Sequence, residues 1–125
     1  MKGGNRMDLY FLPTSLERKY SDERKMKKKY GEQIAIGMGM FLNKAEQADN
    51  AYDLKCIPSL FLEHKKGNLK DYYAVSLDKK RSKRRLMLQM LNNNLEVVSP
   101  GNNEDMFLKA ITKLRIKELS EHYEI

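Results

Sequence analysis

The sequence lacks several features on which whole classes of protein depend. It has one cysteine, Cys56, so it cannot form an internal disulfide, and its two histidines, His64 and His122, make a zinc site unexpected. No apolar run reaches the ~18 residues that span a bilayer, and residues 1–8 have no apolar signal core. We therefore expect a cytoplasmic protein without a membrane partner, in which Cys56 is a small buried hydrophobic residue.

The motifs of common cofactor and nucleophile sites are also missing. The sequence contains no glycine-rich phosphate loop and no Gly-x-Ser-x-Gly nucleophile motif. It also has no cluster of cysteines and histidines at metal-ligand spacing. We therefore expect neither a cofactor nor a metal.

What the sequence has in excess is positive charge. Lysine and arginine number 24 against 17 acidic residues, which gives a net charge of +7. Two clusters carry much of the excess: Arg24, Lys25, Lys27, Lys28 and Lys29 in the first, and Lys79, Lys80, Arg81, Lys83, Arg84 and Arg85 in the second. Such clusters attract polyanions, which include RNA, DNA, a membrane surface and an acidic protein. A solvated helix face and a solvated turn are the simpler interpretations.

The first third of the chain predicts a strand followed by a helical hairpin. Residues 9–12 form a short apolar run typical of a strand. Thr14 and Glu17 have the capping-box spacing, which predicts a helix over residues 15–30 that ends at Gly31.

A second helix is predicted over residues 32–48, where apolar residues recur at helical spacing. Gly37 and Gly39 weaken this helix by roughly 1 kcal/mol each relative to alanine. We expect them to permit close packing against the first helix.

After Pro58 the hydrophobic period changes from helical spacing to two, which indicates strands. Strands are predicted at residues 60–63, 72–77, 85–91 and 113–119, and turns at 66–68 and 79–83. Between the last two strands we expect a loop over most of 92–103, with a short strand at 95–98, and then helical turns at 104–110. Tyr72 and Tyr73 are expected to pack on the sheet.

This order of elements predicts one domain, residues 1–125, of the α+β class. Three successive strands with short connections form an antiparallel meander. We therefore expect a small twisted antiparallel β-sheet with the N-terminal helical hairpin on one face. The other face of the sheet would be left for function.

The available side chains suit the cleavage of RNA, which carries its own nucleophile in the 2′-hydroxyl. Such an enzyme removes the proton of that hydroxyl, stabilises the extra charge on the phosphate and protonates the leaving oxygen. General acid–base groups contribute typically 10²- to 10⁴-fold, and an arginine beside the phosphate adds electrostatic stabilisation. The same composition also permits binding without cleavage.

Several short motifs, taken in order, resemble the RelE/ParE toxin superfamily, with the HigB-like and YoeB-like branches nearest. They are Lys29-Tyr30-Gly31-Glu32 between the predicted helices, Lys66-Gly67-Asn68-Leu69 with Tyr72-Tyr73, Arg85-Leu86 at a strand start, and the tail Glu118-Leu119-Ser120-Glu121-His122-Tyr123. The resemblance spans about residues 9–123. It implies a metal-independent, ribosome-associated mRNA endonuclease, the toxin of a type II toxin–antitoxin system, with mRNA and a cognate antitoxin protein as its partners.

The resemblance also implies the catalytic residues. Glu63 takes the position of the general base, with His64 as the alternative base if the alignment shifts by one residue. Arg85 would hold the scissile phosphate. His122 would be the general acid, and Tyr123 would stack on a base or orient the substrate.

Four further residues would bind backbone phosphates: Lys65, Lys66, Arg81 and Arg84. The chain departs from the family pattern at Lys65, where the family usually has leucine, and in a longer, more basic turn before Arg85. Residues 92–112 are interpreted as an insertion before the last strand. We expect such an insertion to affect the distance between the tail and Glu63.

Two other functions fit the same sequence. A ParE-like protein of this fold would inhibit DNA gyrase without cutting RNA and would not need the His122–Tyr123 tail. A basic nucleic-acid-binding or host-interaction domain would have neither activity.

Overall fold

The computed structural model describes residues 6–121, and His122 and Tyr123 lie outside them. Helices pack on one sheet, and two 3₁₀ turns, Pro58–Leu60 and Gly67–Leu69, flank the second strand. The strands are β1 (Asp8–Phe11), β2 (Glu63–His64), β3 (Tyr73–Val75), β4 (Arg85–Leu91) and β5 (Lys113–Ser120). The helices are α1 (Leu16–Ser21), α2 (Glu23–Tyr30), α3 (Glu32–Gln47), α4 (Ala51–Lys55) and α5 (Glu104–Lys109).

The helix predicted over residues 15–30 is wrong in its continuity, because the chain breaks at Asp22 into α1 and α2. Asp22 has extended backbone angles, and its carboxylate accepts a hydrogen bond from the Lys25 N–H, which caps α2. The predicted capping box is also wrong, since α1 begins after Ser15 without any side-chain cap. The later cap at Asp22 explains why one helical pattern yields two helices.

Gly31 ends α2 as predicted, with a positive φ of 93° that disfavours other residues. The helix predicted after it is confirmed as α3. Gly37 packs closely, but against the backbone near Leu77 rather than against the first helix: a Cβ at Gly37 would lie 1.8 Å from the Leu77 carbonyl oxygen. A Cβ at Gly39 would have nothing within 4 Å of it, so the expectation of close packing there is wrong.

The sheet has the strand order β1-β5-β4-β3-β2. The predicted antiparallel meander is confirmed in β2, β3 and β4, and β5 also pairs antiparallel with β4. β1 is parallel to β5, so the sheet is mixed rather than wholly antiparallel. Local spacing carries no information on that pair, because the two strands are separated by most of the chain. The α+β class with N-terminal helices packed on a mostly antiparallel sheet is confirmed.

Two predicted strands are shorter than expected. The strand at residues 60–63 is wrong, because Leu60 ends a 3₁₀ turn and Phe61 has a left-handed backbone with φ of 49°. Only Glu63 and His64 pair with β3. The strand at 72–77 shortens to β3, whereas β4 keeps its predicted bounds.

One side of the sheet, which we call the helix face, holds the core. Its buried residues include Leu86, Leu88 and Met90 of β4 and Leu114 and Ile116 of β5. Helix α3 adds a buried apolar stripe that consists of Ile34, Ala35, Met38, Phe41 and Ala45. Burial of a side chain the size of leucine contributes about 1.5–3 kcal/mol, so this face is the main source of stability.

Residues 92–112 leave the end of β4 and return beside it. Val97 forms a bridge with Leu91, which is all that remains of the predicted strand at 95–98. The predicted helical turns are confirmed as α5, which Lys55 of α4 joins through ion pairs with Glu104 (3.5 Å) and Asp105.

The environment of Cys56 differs from the expectation of burial. Cys56 follows α4 and is exposed, because that helix is short and its buried positions are Ala51 and Leu54. No helix among residues 6–121 is both long and apolar enough to cross a membrane.

Candidate functional site

The site predicted from the sequence centres on the side of the sheet away from the helices, which we call the outer face. Successive residues of a strand alternate between faces. Glu63, Ala74 and Met87 are register partners in one row across β2, β3 and β4 and share the outer face. Arg85 lies two residues before Met87 and belongs to the same face, and its register partner is Ser120.

A β-bulge in β5 shapes this face. Leu86 pairs with Leu119 and Leu88 pairs with Ile116, so two residues of β5 oppose the single residue Met87. These two residues are Lys117 and Glu118. The bulge lets Leu119 turn toward the core while Ser120 reaches the position opposite Arg85.

Tyr20 holds the bulge from the helix side. Its buried hydroxyl donates to the Lys117 carbonyl and accepts from the Leu119 N–H, both at 3.0 Å. These are two backbone groups that a bulge removes from the ladder. Burial is the main cause that raises the pKa of Tyr20 well above its ordinary value. Helix α1 therefore fixes the outer face although it lies on the other side of the sheet.

A groove of about 320 Å³ lies on the outer face beside the bulge. Its floor and walls combine apolar and polar side chains from the turn before β3, from β4 and from β5. They are Leu69, Tyr72, Met87, Lys117, Glu118, Leu119 and Ser120. The groove therefore presents apolar and polar residues side by side.

Glu63 lies on the outer face at the edge strand β2. Its side chain is 59% exposed and forms an ion pair with Lys65, whose Nζ is 3.3 Å from Oε1. The Lys65 side chain is only 14% exposed, and its backbone N–H donates to the Tyr72 carbonyl. The Glu63 carboxylate therefore lies beside the partly buried Lys65, whose backbone is bonded to the groove residue Tyr72.

His64 has a different environment from its neighbour. It shares the helix-face row with Tyr73 and Leu88, and its ring stacks on Tyr73 with centroids 4.9 Å apart. Its Nε2 lies 2.7 Å from the Lys70 carbonyl and donates to it. The two residues predicted as rival bases therefore lie on opposite faces, and Glu63 is the one on the face of Met87.

Arg85 is the first residue of β4 and is half-buried. Its Nη1 donates to the Ser82 and Arg84 carbonyls, both at 2.8 Å. These bonds fix the guanidinium group at the turn that precedes β4. The side chain of Arg85, the predicted phosphate ligand, is thus held by its own turn.

The other predicted phosphate-binding residues spread around the sheet. Lys66 is exposed just before the Gly67–Leu69 turn, near Lys65 in sequence. Arg81 is exposed and lies 3.5 Å from the Gln33 side-chain oxygen, on the α3 side. The Arg84 side chain also lies away from the outer face, against Tyr30 of α2. The structure therefore brings Lys65 to Glu63 but separates Arg81 and Arg84 from it.

The predicted insertion does not displace β5 from β4. Leu91, where β4 ends, is the register partner of Lys113, where β5 begins. The pairing continues to Arg85 and Ser120. The chain therefore comes to Ser120 beside Arg85, two residues before His122, and both His122 and Tyr123 lie outside the described residues.

The loop at the start of this segment covers one half of the outer face. The Val98 N–H donates to the Met90 carbonyl, and Ser99 Oγ donates to Lys70 O and Asp71 Oδ1 at 3.2 and 3.1 Å. Gln89 and Leu91 are buried at that end. The half around Met87 keeps the groove.

A larger cavity, about 660 Å³, lies along β1 at the opposite edge of the sheet. It contains none of the predicted site residues, and its lining includes the carboxylates of Glu17 and Glu46. Glu63 and Arg85 do not line the smaller groove either. We place the candidate site there because the groove lies on the outer face, which the predicted base and phosphate ligand share. Among residues 6–121, no group of three or more His, Cys, Asp or Glu side chains is placed to hold a metal ion.

Sequence reasoning misses two features of this region. Tyr72, which is expected to pack on the sheet, lines the groove, and Lys117 joins it because of the bulge. Tyr30, which the sequence predicts as part of the apolar face of the first helix and of the helix joint, lies among cationic side chains from three parts of the chain. Contacts between distant segments leave no local pattern, so only the fold reveals them.

The chain was compared with protein-family models, with curated proteins and with solved structures, and none of them matched.

Proposed function

We propose that this protein is a metal-independent mRNA endoribonuclease, ribosome-associated, and the toxin of a type II toxin–antitoxin system. The observation that carries the proposal is the arrangement on the outer face. Glu63, Arg85 and the end of β5 at Ser120 share one face that holds a groove. The net charge of +7 supports a polyanionic substrate.

The proposed reaction uses the 2′-hydroxyl of RNA as its nucleophile. Glu63 takes the proton from this hydroxyl, and the 2′-oxygen forms a bond to the adjacent phosphorus. The bond from phosphorus to the 5′-oxygen breaks, and His122 gives that oxygen a proton. The products are a 2′,3′-cyclic phosphate and a 5′-hydroxyl, so atoms and protons balance without an external reagent.

Arg85 stabilises the phosphate in this scheme. The two bonds from its Nη1 hold the guanidinium group in place, so little reorganisation is needed when charge develops on the phosphate. Arginine matches phosphate with a planar set of donors, which a lysine does not provide. In the groove, Tyr72 and Met87 offer apolar surface to a neighbouring base.

The test is RNA cleavage by the purified protein in the presence of EDTA, with free and ribosome-bound mRNA as substrates. We expect cyclic-phosphate and 5′-hydroxyl ends, and no cleavage of a 2′-O-methyl RNA of the same sequence. Arg85→Gln should reduce the rate at least ~100-fold, which is the loss typical of one electrostatic donor. Arg115→Gln, a matched loss of an outer-face arginine further along the sheet, should change it little.

An absolute need for a divalent metal, or cleavage of the 2′-O-methyl RNA, would contradict this mechanism. In a cell, expression should stop growth, and a cognate antitoxin protein should restore it.

A binding protein of the ParE-like kind, or a basic nucleic-acid-binding domain, is the second candidate. The observation that favours it is that the Nη1 atom of Arg85 donates to two backbone carbonyls of its own turn, as in a purely structural arginine. If growth arrest persists in the Glu63→Gln and His122→Gln variants and gyrase is inhibited, this candidate replaces the first.

A further inference from the structure

Among the described residues, three cationic side chains converge on the ring of Tyr30, the last residue of α2. Lys19 Nζ of α1 is 5.5 Å from the ring centroid and Lys29 Nζ is 5.4 Å from it. Arg84 Cζ, from the turn before β4, is 5.2 Å from it. We call Lys19, Lys29, Tyr30 and Arg84 the Tyr30 cluster. Each contact is within the ~6 Å at which a cation is attracted to an aromatic face.

Within residues 6–121, the three cations of the Tyr30 cluster face two nearby carboxylates, those of Glu118 and Glu121. Arg84 has a long ion pair with Glu121, with Nη2 3.8 Å from Oε2, and both side chains are partly exposed. The pKa of Lys19 is raised, mainly by a hydrogen bond with Tyr30. The negative charge of Glu118 is a smaller cause of the same shift. Ion pairs between exposed side chains are weak because water screens them. The cluster therefore remains attractive to an external anion.

The position of the cluster links it to the groove. Arg84 and Arg85 are adjacent, and their side chains go to opposite sides of the sheet: Arg85 to the outer face and Arg84 to Tyr30. Glu118 both lines the groove and influences Lys19. An RNA strand that leaves the groove around the end of β5 would therefore reach the Tyr30 cluster next.

We propose that the Tyr30 cluster is a second phosphate-binding site, which holds the RNA backbone beside the groove through Lys19, Lys29 and Arg84. Tyr30 keeps the three cations together in the free protein, and a phosphate adds the counter-charge when RNA binds. The site binds backbone without reading sequence. This inference rests on the proposed function, since it assigns a further contact to the same substrate.

The test is the salt dependence of binding to a short, labelled 2′-O-methyl RNA, which binds without being cut. The cluster variant combines Lys19→Gln, Lys29→Gln and Arg84→Gln. The control variant loses the same charge at exposed positions outside the cluster and combines Lys25→Gln, Lys28→Gln and Lys44→Gln. Because each phosphate contact on a single strand contributes about 0.7 to the slope of log K against log salt, the cluster variant should lose about 2 from that slope and on the order of 100-fold in affinity near ~0.1 M salt.

A pair of single variants tests the sign of the effect. Glu121→Gln removes the carboxylate beside Arg84, so it should raise RNA affinity several-fold. Glu46→Gln removes an equal charge on α3 and should raise it less. Circular dichroism and urea unfolding check that every variant remains folded.

Cleavage in EDTA, measured on the same preparations with unmodified RNA, separates the two proposals. If the wild type cuts RNA but the cluster and control variants lose equal affinity, the second site is overturned and the function stands. If the wild type binds but does not cut, the catalytic proposal fails and the slope comparison still decides the site. If the wild type does not bind RNA, both are overturned.

Discussion

On β4, Leu86, Leu88 and Met90 point to the helices, whereas Arg85 and Met87 point away from them. The helix face is wholly apolar at these positions and is closed by α3. The outer face has a mixed lining, and the loop after β4 covers only one half of it. Within one strand, alternation thus separates residues that stabilise the fold from residues that are available to a ligand.

The same contrast exists at β2 between two consecutive residues. Glu63 is exposed on the outer face beside Lys65, while His64 is stacked on Tyr73 and bonded to the Lys70 carbonyl. A base must be within reach of the proton it removes. The comparison therefore favours Glu63 for the proposed catalysis and a packing role for His64.

The largest expected effect follows from this assignment. Glu63→Gln should lower the rate of RNA cleavage by about 10²- to 10⁴-fold and leave unfolding by urea nearly unchanged, because it removes a proton acceptor from an exposed site. His64→Gln is the matched control, and it should keep the rate within a few-fold and lose about 1 kcal/mol of stability with its ring contact. Rates and urea midpoints measured on both variants check the pair. A larger rate loss in His64→Gln would reverse the assignment.

The next effect concerns how closely the helix face is packed. Gly37→Ala places a methyl group 1.8 Å from the Leu77 carbonyl oxygen, and backbone must move to admit it. We expect a loss of about 3 kcal/mol or more in the free energy of unfolding. Gly39→Ala, two residues along α3 in open space, should instead gain about 0.5–1 kcal/mol from helix propensity. Urea unfolding of both variants tests this, and equal signs would refute the close contact.

Two methionines of β4 lie on opposite faces of the sheet, so replacing each one compares the packing of the two faces. Met90 is fully buried on the helix face, while Met87 is 7% exposed and lines the groove on the outer face. Met90→Ala should cost about 3 kcal/mol, because it leaves a cavity in a closed core. Met87→Ala opens onto the groove and should cost about 1 kcal/mol. Thermal or urea unfolding measures the difference, and equal losses would mean that the outer face is as closed as the helix face.

The sequence predicts the local elements of the fold better than the pairing of distant segments. The bounds of β4, the end of α2 at Gly31 and the meander follow from local spacing and turn residues, and the structure confirms them. The parallel pairing of β1 with β5 depends on the whole chain and has no local signal. The break at Asp22 escapes prediction because an apolar helical pattern continues through it, although the residue itself is a common cap.

The candidate site is predictable only in part. Glu63 and Arg85 are candidates only through the resemblance of the motifs around them, and their common face follows from strand register, which the sequence alone does not give. The bulge at Lys117 and Glu118 changes which residues line the groove, and it depends on Tyr20, which precedes Lys117 by 97 residues. Long-range contacts of this kind are the reason that chemistry on the outer face escapes local patterns.

The smallest effect tests that long-range contact through pH. Tyr20→Phe leaves the Leu119 N–H and the Lys117 carbonyl without their partner, which should cost about 1–3 kcal/mol near neutral pH. The folded pKa of Tyr20 is raised above the ordinary value of 10.0, mainly by burial, so its contribution is fully present below pH 10.0 and is lost as the pH rises further. The stability difference between wild type and Tyr20→Phe should therefore be constant from pH 7 to 9 and shrink above pH 10.0. Urea unfolding across this pH range measures the stability difference. The other tyrosines are common to both proteins, so their titration cancels. A difference that stayed constant above pH 10.0 would show that the hydroxyl is not buried at the bulge.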